Sequence, residues 1–388
     1  MIPAQLPDRH FSAIDVDGQG DRHIRTFDRK KDADAYRGQV TVDVGLGVHT
    51  APSKSLTVRE AGDLWLETGE SNELERATLD SYEQHLRLHI VPLLGNEKLA
   101  ALTTAAIRGF EDKLRQNNVS PVMRRRVIVS LGSLLADAQE RGLVAQNVVR
   151  SLRASRKGKD RHRRREGAKL KVGVIPAPTE IKRIIAHLNG RWRPLLLTAI
   201  FTGLRASELR GLRWNDVDLK RGELHVRQRA DRYNVIGRPK SHSGERSVPL
   251  PPSVVAVLRG WKLQCPKGEL GLVFPNGIGK VENIQNILNR DFFPAQIAAG
   301  VVTKGGKPKA KYTGLHALRH FFASWCTNRR QDGGLELPLK VVQERLGHST
   351  VVLTADRYSH LFPRGDDGAC CGGAARLTRH KRDMLADS

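Results

Sequence analysis

The stretch His316–Tyr358 contains candidate functional residues, and the rest of the chain is interpreted by its relation to them. It opens with HALRHFFAS (residues 316–324) and, after a charged and apolar helical run, closes with LGHSTVVLTADRYSHLF (residues 346–362). Residues three positions apart share one face of a helix, so His316 and Arg319 are spaced to bind one anion together. The arginine guanidinium is a planar fork suited to phosphate, and histidine can donate a hydrogen bond or transfer a proton near neutral pH.

The closing segment adds two groups that can act on a phosphate. His348 follows a glycine, and Tyr358, a residue type that can be a covalent nucleophile when cations lie nearby, comes ten positions later. The pattern predicts a phosphate clamp with a nucleophile attached. Residues 338–361 also fit two short helices around a Gly turn, as in a helix-turn-helix that reads DNA. An isolated His-x-x-Arg is most often a solvated helix face, so a functional interpretation of this pair depends on other motifs in the chain.

Composition points to a polyanionic partner. The 388 residues carry 65 basic and 41 acidic side chains, a net charge of +24, which favours binding to nucleic acid through release of phosphate counterions. An anionic membrane surface is the competing partner, but it usually requires an amphipathic or lipidated anchor. The sequence has neither a long apolar run nor the apolar core of a signal peptide, so we expect a cytoplasmic protein. The length predicts two or three domains.

The cysteine and histidine spacings do not favour a metal site or a disulfide framework. Four cysteines are too few for a framework in a chain of this length, and the adjacent Cys370 and Cys371 lack zinc-ligand spacing. His316 and His320 are four apart, but the His-Glu-x-x-His pattern is missing. We therefore expect no cofactor; the role of Cys370 and Cys371 stays open.

Changes in composition divide the chain into five segments. Residues 1–50 resemble a small α+β module. Residues 56–153 are predicted to be an all-α domain, whose first helix has Thr57 as its cap with Glu60 at capping-box spacing. Three consecutive arginines on its fourth helix could meet a DNA backbone or lie on a solvated face: Arg124, Arg125 and Arg126.

The second half starts with a segment that cannot build a core. Residues 154–174, including Arg163, Arg164 and Arg165, are predicted to be a basic linker suited to lie along phosphates, or alternatively a nuclear-localisation-type patch. Residues 175–365 are predicted to be mostly helical, with antiparallel strands in RGELHVRQR and GERSVPLPP. Residues 366–388 are a Gly-rich, flexible tail.

Five short motifs in the second half resemble those of the tyrosine recombinases, the phage-type integrases. TGLRASELRGLRWNDVDL resembles the family's first-arginine motif, and RPKSHSGERSVPL its β-hairpin lysine segment. HALRHFFAS is similar to its His-x-x-Arg motif, and LGHS and DRYSHL to its second-histidine and tyrosine motifs. Each is weak alone, but all occur in order across about 155 residues. Residues 56–153 resemble more loosely a core-binding domain, and residues 1–50 an arm-site domain.

The resemblance implies a role for seven residues. Arg205 and Arg319 would hold the scissile phosphate and stabilise the charge of its pentacoordinate transition state. His316 would assist as a proton-transfer or hydrogen-bonding group, His348 would hydrogen-bond the phosphate, and Lys240 would protonate the leaving 5′ oxygen. Tyr358 would attack phosphorus to form a 3′-phosphotyrosyl link, and Glu208, which matches the family's acidic residue near the first arginine, would help to position the site.

The resemblance also implies a function and partners. We expect a site-specific DNA recombinase, the integrase of a prophage or other mobile element, acting as a homotetramer on double-stranded DNA attachment sites, with or without an accessory DNA-bending or excision factor. The fold expected is mainly α with a small antiparallel hairpin in the catalytic domain. A relaxing topoisomerase-like enzyme and a non-enzymatic helix-turn-helix regulator are the alternatives. The sequence does not give the DNA target, the element of origin or whether Tyr358 acts within its own subunit.

Overall fold

The computed structural model describes residues 11–16, 22–45, 55–150, 152, 175–303 and 305–358. The chain divides into two compact units, residues 1–161 and 162–388. The basic linker with Arg163, Arg164 and Arg165 and the tail with Cys370 and Cys371 lie outside the described residues.

The first unit begins with a strand pair and a helix. Strands β1 (Phe11–Val16) and β2 (Arg22–Phe27) pair antiparallel, with Phe11 opposite Phe27. Helix α1 (Lys30–Gly45) follows and packs on the pair, where the Phe27 and Tyr36 rings lie 5.3 Å apart. The sequence pattern predicted both the α+β character of this module and the strand RHIRTF.

The remainder of the first unit is helical. Its helices are α2 (Val58–Ser71), α3 (Arg76–His85), α4 (Val91–Leu94), α5 (Thr104–Gln116) and α6 (Pro121–Glu140). Thr57 caps α2 as predicted: its hydroxyl accepts from the Glu60 N–H at 3.2 Å, and the Glu60 carboxylate accepts from the Thr57 N–H at 2.7 Å. Trp65, Phe110 and Leu131 are buried in one apolar core, which stabilises the helices at about 1.5–3 kcal/mol for each large side chain.

The sequence pattern predicts a helix through TLDSYEQHLRLHIVPLLG that stops near Pro92 and Gly95, and the helical run ends at Leu94, just before Gly95. Helix α3 continues through a π-helical turn, Leu86–Ile90, directly into α4, where Pro92 lies at the first or second position. Proline breaks a helix interior because it lacks an N–H, but the first turn of a helix leaves its N–H groups without intrahelical partners anyway. The wider π turn resets the hydrogen bonding just before Pro92, and the proline is thereby accommodated.

The second unit is mainly helical with short antiparallel strands. Its helices are α7 (Pro178–Ala186), α8 (Arg193–Thr202), α9 (Ala206–Gly211), α10 (Pro252–Gln264), α11 (Ile284–Ile287), α12 (Phe293–Ala298), α13 (His316–Thr327), α14 (Leu339–Leu346) and α15 (Val351–Tyr358). A π-helical turn, Leu288–Phe292, joins α11 to α12.

The strands form two small sheets. They are β3 (Val217–Asp218), β4 (Glu223–Val226), β5 (Arg229–Ala230), β6 (Ile236–Gly237) and β7 (Arg246–Pro249). One sheet has the order β3-β4-β7, and β5 pairs with β6; all pairs are antiparallel. The pairing of β4 with β7 confirms the strands predicted in RGELHVRQR and GERSVPLPP.

Helix α8 lies at the centre of the second core. Leu196 and Ile200 on α8 are fully buried and belong to the same cluster as Leu258 of α10 and Phe322 of α13. The helix ends at Gly203, whose φ of +61° is the left-handed conformation that favours glycine. This turn redirects the chain so that Arg205 directly precedes α9.

Candidate active site

Arg205 is held at the start of α9 by a buried carboxylate. Its backbone N–H donates to Glu208 at 2.8 Å and its Nη1 to Glu208 Oε1 at 2.7 Å. Its Nη2 donates to the Gly347 carbonyl at 3.2 Å, across 142 positions of sequence. The side chain keeps 39% of its surface exposed, whereas that of Glu208 keeps 3%. One face of the guanidinium is therefore fixed and the rest can meet a ligand.

Arg319 lies one turn into α13 and is almost completely buried. Only 2% of the residue is exposed. Its Nη1 donates to the Gly203 carbonyl at 2.7 Å, and its Nη2 donates to the Leu346 carbonyl. The second arginine therefore joins the end of α8 to the end of α14, the same two places between which Arg205 lies.

Arg246, on β7, is a site residue that was not predicted from the sequence. Its side chain is 6% exposed and donates to both Glu208 oxygens, at 2.8 and 3.2 Å. Its Nε donates to the Arg345 carbonyl at 2.8 Å. In the sequence it resembles an ordinary basic residue of a strand, and its role depends on α14, which lies about 100 residues downstream and packs against β7.

Three successive carbonyls at the end of α14 each accept from a different arginine. The carbonyl of Arg345 accepts from Arg246, that of Leu346 from Arg319 and that of Gly347 from Arg205. The last carbonyls of a helix have no intrahelical partner and carry the negative end of its dipole, so cations are favoured there. The end of α14 thereby fixes three guanidinium groups relative to one another.

Gly347 is required at this helix end. Its φ is +62°, and a Cβ added there would lie 2.8 Å from Arg246 Nη1 and 2.9 Å from the Ser243 carbonyl oxygen. Ser243 belongs to the connection between β6 and β7 that also carries Lys240. The Lys240 segment therefore approaches the arginine site at Gly347, while Lys240 itself is exposed.

The site is strongly electropositive. Burial raises the pKa of Glu208, but the charges of Arg246 and then Arg205 outweigh it and lower that pKa to about 2. Burial lowers the pKa of Arg319 to about 9, and the charge of Arg205 acts in the same direction. Glu208 and Arg319 therefore both carry their charge at neutral pH. Together with Arg205 and Arg246, the site has three positive charges and one negative charge. Its net charge of two positive units suits a phosphodiester anion.

His316 and His348 lie on elements that border the arginines. His316 is exposed at the first position of α13, one turn before Arg319. His348 directly follows Gly347; its Nδ1 lies 2.8 Å from the Thr354 hydroxyl oxygen, and its carbonyl accepts from Gln343 at 2.6 Å. The Gly347 turn between α14 and α15, expected from the sequence, thus orients His348 beside the arginine-bound carbonyls.

Tyr358 is the last described residue and is 1% exposed at the end of α15. Its hydroxyl oxygen lies 2.7 Å from Nδ1 of His320. The rings of His316 and His320 meet edge to face, with centroids 4.5 Å apart. From the sequence, His320 was considered only as a metal ligand. Its spacing of four from His316, which places both on one face of α13, is the signal that could have drawn attention to it.

The remaining expectations concern metals, membranes and the arginine triplet. Within the residues described, no three His, Cys, Asp or Glu side chains come together as metal ligands. In the same residues, no helix combines the length and apolarity needed to cross a membrane. On α6, Arg124 is half-buried, and Arg125 and Arg126 are exposed.

Sequence comparison places the chain in a family. The phage integrase family matches residues 177–364, and its N-terminal SAM-like domain matches residues 57–115. The chain belongs to the tyrosine recombinases, the phage-type integrases, and is thus a member of an enzyme family. It is 26% identical over 361 residues to a XerC-like tyrosine recombinase of Caldanaerobacter subterraneus subsp. tengcongensis, covering 86% of this chain and 87% of the relative. The integrase of Mycobacterium phage L5 is 26% identical over 340 residues, with 84% of each chain covered.

Solved structures share the fold. The Tn1549 transposon integrase, in complex with a circular intermediate DNA, superposes with a TM-score of 0.61 at 18% identity, covering 83% of this chain and all of that one. A lambda integrase tetramer bound to a Holliday junction gives a TM-score of 0.54 at 17% identity, covering 89% and 97%. At such identities the similarity concerns the fold, and it confirms the mainly helical class with a small antiparallel sheet.

Proposed function

We propose that this chain is a site-specific DNA recombinase, the integrase of a prophage or other mobile element. The observation that carries the proposal is the attachment of Arg205, Arg319 and Arg246 to three successive carbonyls, with Glu208 between them. Such a preorganised cluster of donors is suited to stabilise charge that develops on a phosphate in the transition state.

The reaction proposed is attack of Tyr358 on a DNA phosphodiester. The phenol oxygen forms a bond to phosphorus, the bond from phosphorus to the 5′ oxygen breaks, and Lys240 protonates that leaving oxygen. Arg205 and Arg319 hold the non-bridging oxygens, His348 donates to one of them, and His316 assists proton transfer. The 3′-phosphotyrosyl link conserves the bond energy, so strands can be rejoined without ATP.

Double-stranded DNA attachment sites are the proposed partner, and four copies of the chain are proposed to assemble on two sites. The net charge of +24 and the DNA-bound integrases with the same fold support this. An accessory DNA-bending or excision factor belongs to the proposal as an additional partner.

The test uses DNA from the region that flanks the gene. A supercoiled plasmid carrying this region is incubated with the protein and denatured with detergent; we expect DNA covalently attached to the chain. Tyr358→Phe is the matched control, because it removes one oxygen and keeps the ring. A helix-turn-helix regulator would bind DNA without any adduct in either protein.

Product mapping distinguishes the second enzyme. A topoisomerase-like enzyme, which this constellation of residues would also suit, yields relaxed circles of unchanged sequence, whereas a recombinase yields new junctions between two sites. Should sheared genomic DNA of the source organism also yield no adduct with the unaltered protein, the recombinase proposal is wrong.

A further inference from the structure

The nucleophile in the proposed reaction has a neighbour with no assigned role. His320 is 5% exposed, and its Nδ1 lies 2.7 Å from the hydroxyl oxygen of Tyr358, itself 1% exposed. A contact of this length between two buried polar groups is a full hydrogen bond. Breaking a hydrogen bond between buried groups costs free energy, so this bond constrains where the phenol lies.

Both ends of this hydrogen bond are attached to the proposed site. His320 directly follows Arg319, whose two bonds to the carbonyls of Gly203 and Leu346 fix α13. On the other side, Thr354 lies one turn before Tyr358, is fully buried, and bonds to His348. Residues four apart share a helix face. Helix α15 is thus held at two successive turns, by His348 at Thr354 and by His320 at Tyr358.

The phenol of Tyr358 lies near the arginines of the proposed site. An ionised Tyr358 would raise the pKa of Arg319, which places the phenol within electrostatic reach of that arginine. The partner of its hydroxyl, His320, also touches the ring of His316. The hydroxyl is therefore kept beside the arginines that are proposed to bind phosphate.

We propose that His320 is a positioning residue for Tyr358. Its Nδ1 accepts a hydrogen bond from the hydroxyl and keeps the phenol oxygen in one place, from which attack on phosphorus starts. His320 acts through Tyr358 and contributes geometry, because an oxygen displaced by about 1 Å can slow a reaction about 10²-fold. The inference rests on the proposed function, since it assigns Tyr358 as the nucleophile.

Three variants separate the hydrogen bond from the packing of the ring. His320→Phe keeps a ring and removes the acceptor. His320→Asn places an oxygen close to the position of Nδ1, and His320→Gln places its polar atoms closer to that of Nε2. The proposal predicts that Asn restores what Phe and Gln lose; simple loss of packing would leave Asn, the smallest of the three, the most damaged.

The first experiment needs no DNA. Fluorotyrosine is incorporated at position 358, and the fluorine resonance is recorded in the full-length protein and in each variant. We expect the His320→Asn resonance to coincide with that of the unaltered protein, and the Phe and Gln resonances to shift. One unchanged resonance in all four proteins would overturn the inference, whether or not the chain is a recombinase.

The second experiment measures formation of the covalent adduct on the flanking-DNA plasmid. His320→Phe and His320→Gln are expected to slow it about 10²-fold with unchanged DNA affinity, and His320→Asn to recover most of the rate. Equal rates in the Phe variant and the unaltered protein, or an Asn variant as slow as the Phe variant, would contradict the role of His320. Absence of adduct in the unaltered protein would instead contradict the proposed function, and the fluorine experiment would then decide on His320 alone.

Discussion

Glu208 is the residue on which the arrangement of the arginines depends. It is buried, and it receives hydrogen bonds from both Arg205 and Arg246. Removing its charge would leave the buried Arg246 side chain without its carboxylate, and breaking a buried ion pair from one side is strongly destabilising. Glu208 therefore supports the site although it need not touch DNA.

Glu208→Gln is expected to destabilise the second unit in a pH-dependent way. The folded-state pKa of Glu208 is about 2 against an ordinary 4.5, so its ionised form contributes about 3 kcal/mol above pH 4.5. This contribution is lost as pH falls through the folded pKa. Thermal unfolding should show the Gln variant less stable at pH 7 and the difference shrinking below pH 4.5. A difference that stays constant down to pH 2 would contradict the assignment.

The pKa of Asp291 is raised in the folded protein, whereas that of Glu208 is lowered. It lies in the π-helical turn before α12, and among the described residues its Oδ2 is buried without a hydrogen-bond partner. Burial raises its pKa from 3.8 to about 6, with the Asn189 N–H opposing this. The folded protein binds the proton more tightly than the unfolded chain, so the ionised group costs stability as pH rises from 3.8 to 6.

Asp291→Asn is accordingly expected to stabilise the protein by about 1–3 kcal/mol at pH 7. Below pH 3.8 the carboxyl is protonated in both states, and the variant should no longer differ. Unfolding midpoints across this range measure the effect. A gain that is the same at pH 3.5 and pH 7 would indicate a cause other than the buried charge.

The elements that form the site differ in how well they can be predicted from the sequence. The His316–Arg319 helix, the turn at Gly347 and the β4–β7 pair were predicted, because local periodicity and glycine chemistry determine them. The roles of Arg246 and His320 were not, since each depends on an element far along the chain that packs against it. The π turn before Pro92 was missed for another reason: a proline pattern does not reveal that the hydrogen bonding has shifted just upstream.

Gly347→Ala tests the end of α14 as an element. The left-handed backbone alone costs a residue with a Cβ about 1–3 kcal/mol, and here the Cβ also meets Arg246 and Ser243. We expect lower thermal stability together with slower adduct formation, because the three carbonyl contacts shift. Gly333→Ala is the matched control: Gly333 has φ of +78° and nothing near its Cβ. Equal losses in the two variants would mean that backbone strain alone explains the effect.

Across the full chain, charge is the property that the sequence shows most directly and assigns least well. The excess of 24 positive charges favours DNA, but phosphate contacts do not reveal which side chains make them. The described residues place Arg125 and Arg126 exposed at the start of α6 in the first unit. The arginine site lies in the second unit, so the two contributions to binding can be varied independently.

The salt dependence of DNA binding counts the phosphate contacts. The logarithm of affinity falls with the logarithm of salt concentration at a slope of about −0.9 per contact on duplex DNA. Replacing Arg124, Arg125 and Arg126 by Ser should therefore reduce the slope by roughly 2–3 if the triplet meets the backbone. Binding is measured by titration of flanking DNA between about 50 and 200 mM salt, the range over which such contacts change affinity most clearly.

A control with the same change of charge decides whether position matters. Arg108, Lys113 and Arg115 are exposed on α5 of the same unit, so replacing them by Ser also removes three charges. If net charge alone governs binding, both triple variants should weaken it through the screened field and leave the slopes nearly equal. If the α6 triplet contacts phosphates, only its variant should change the slope. A larger change in the α5 variant would move the DNA-binding face of this unit from α6 to α5.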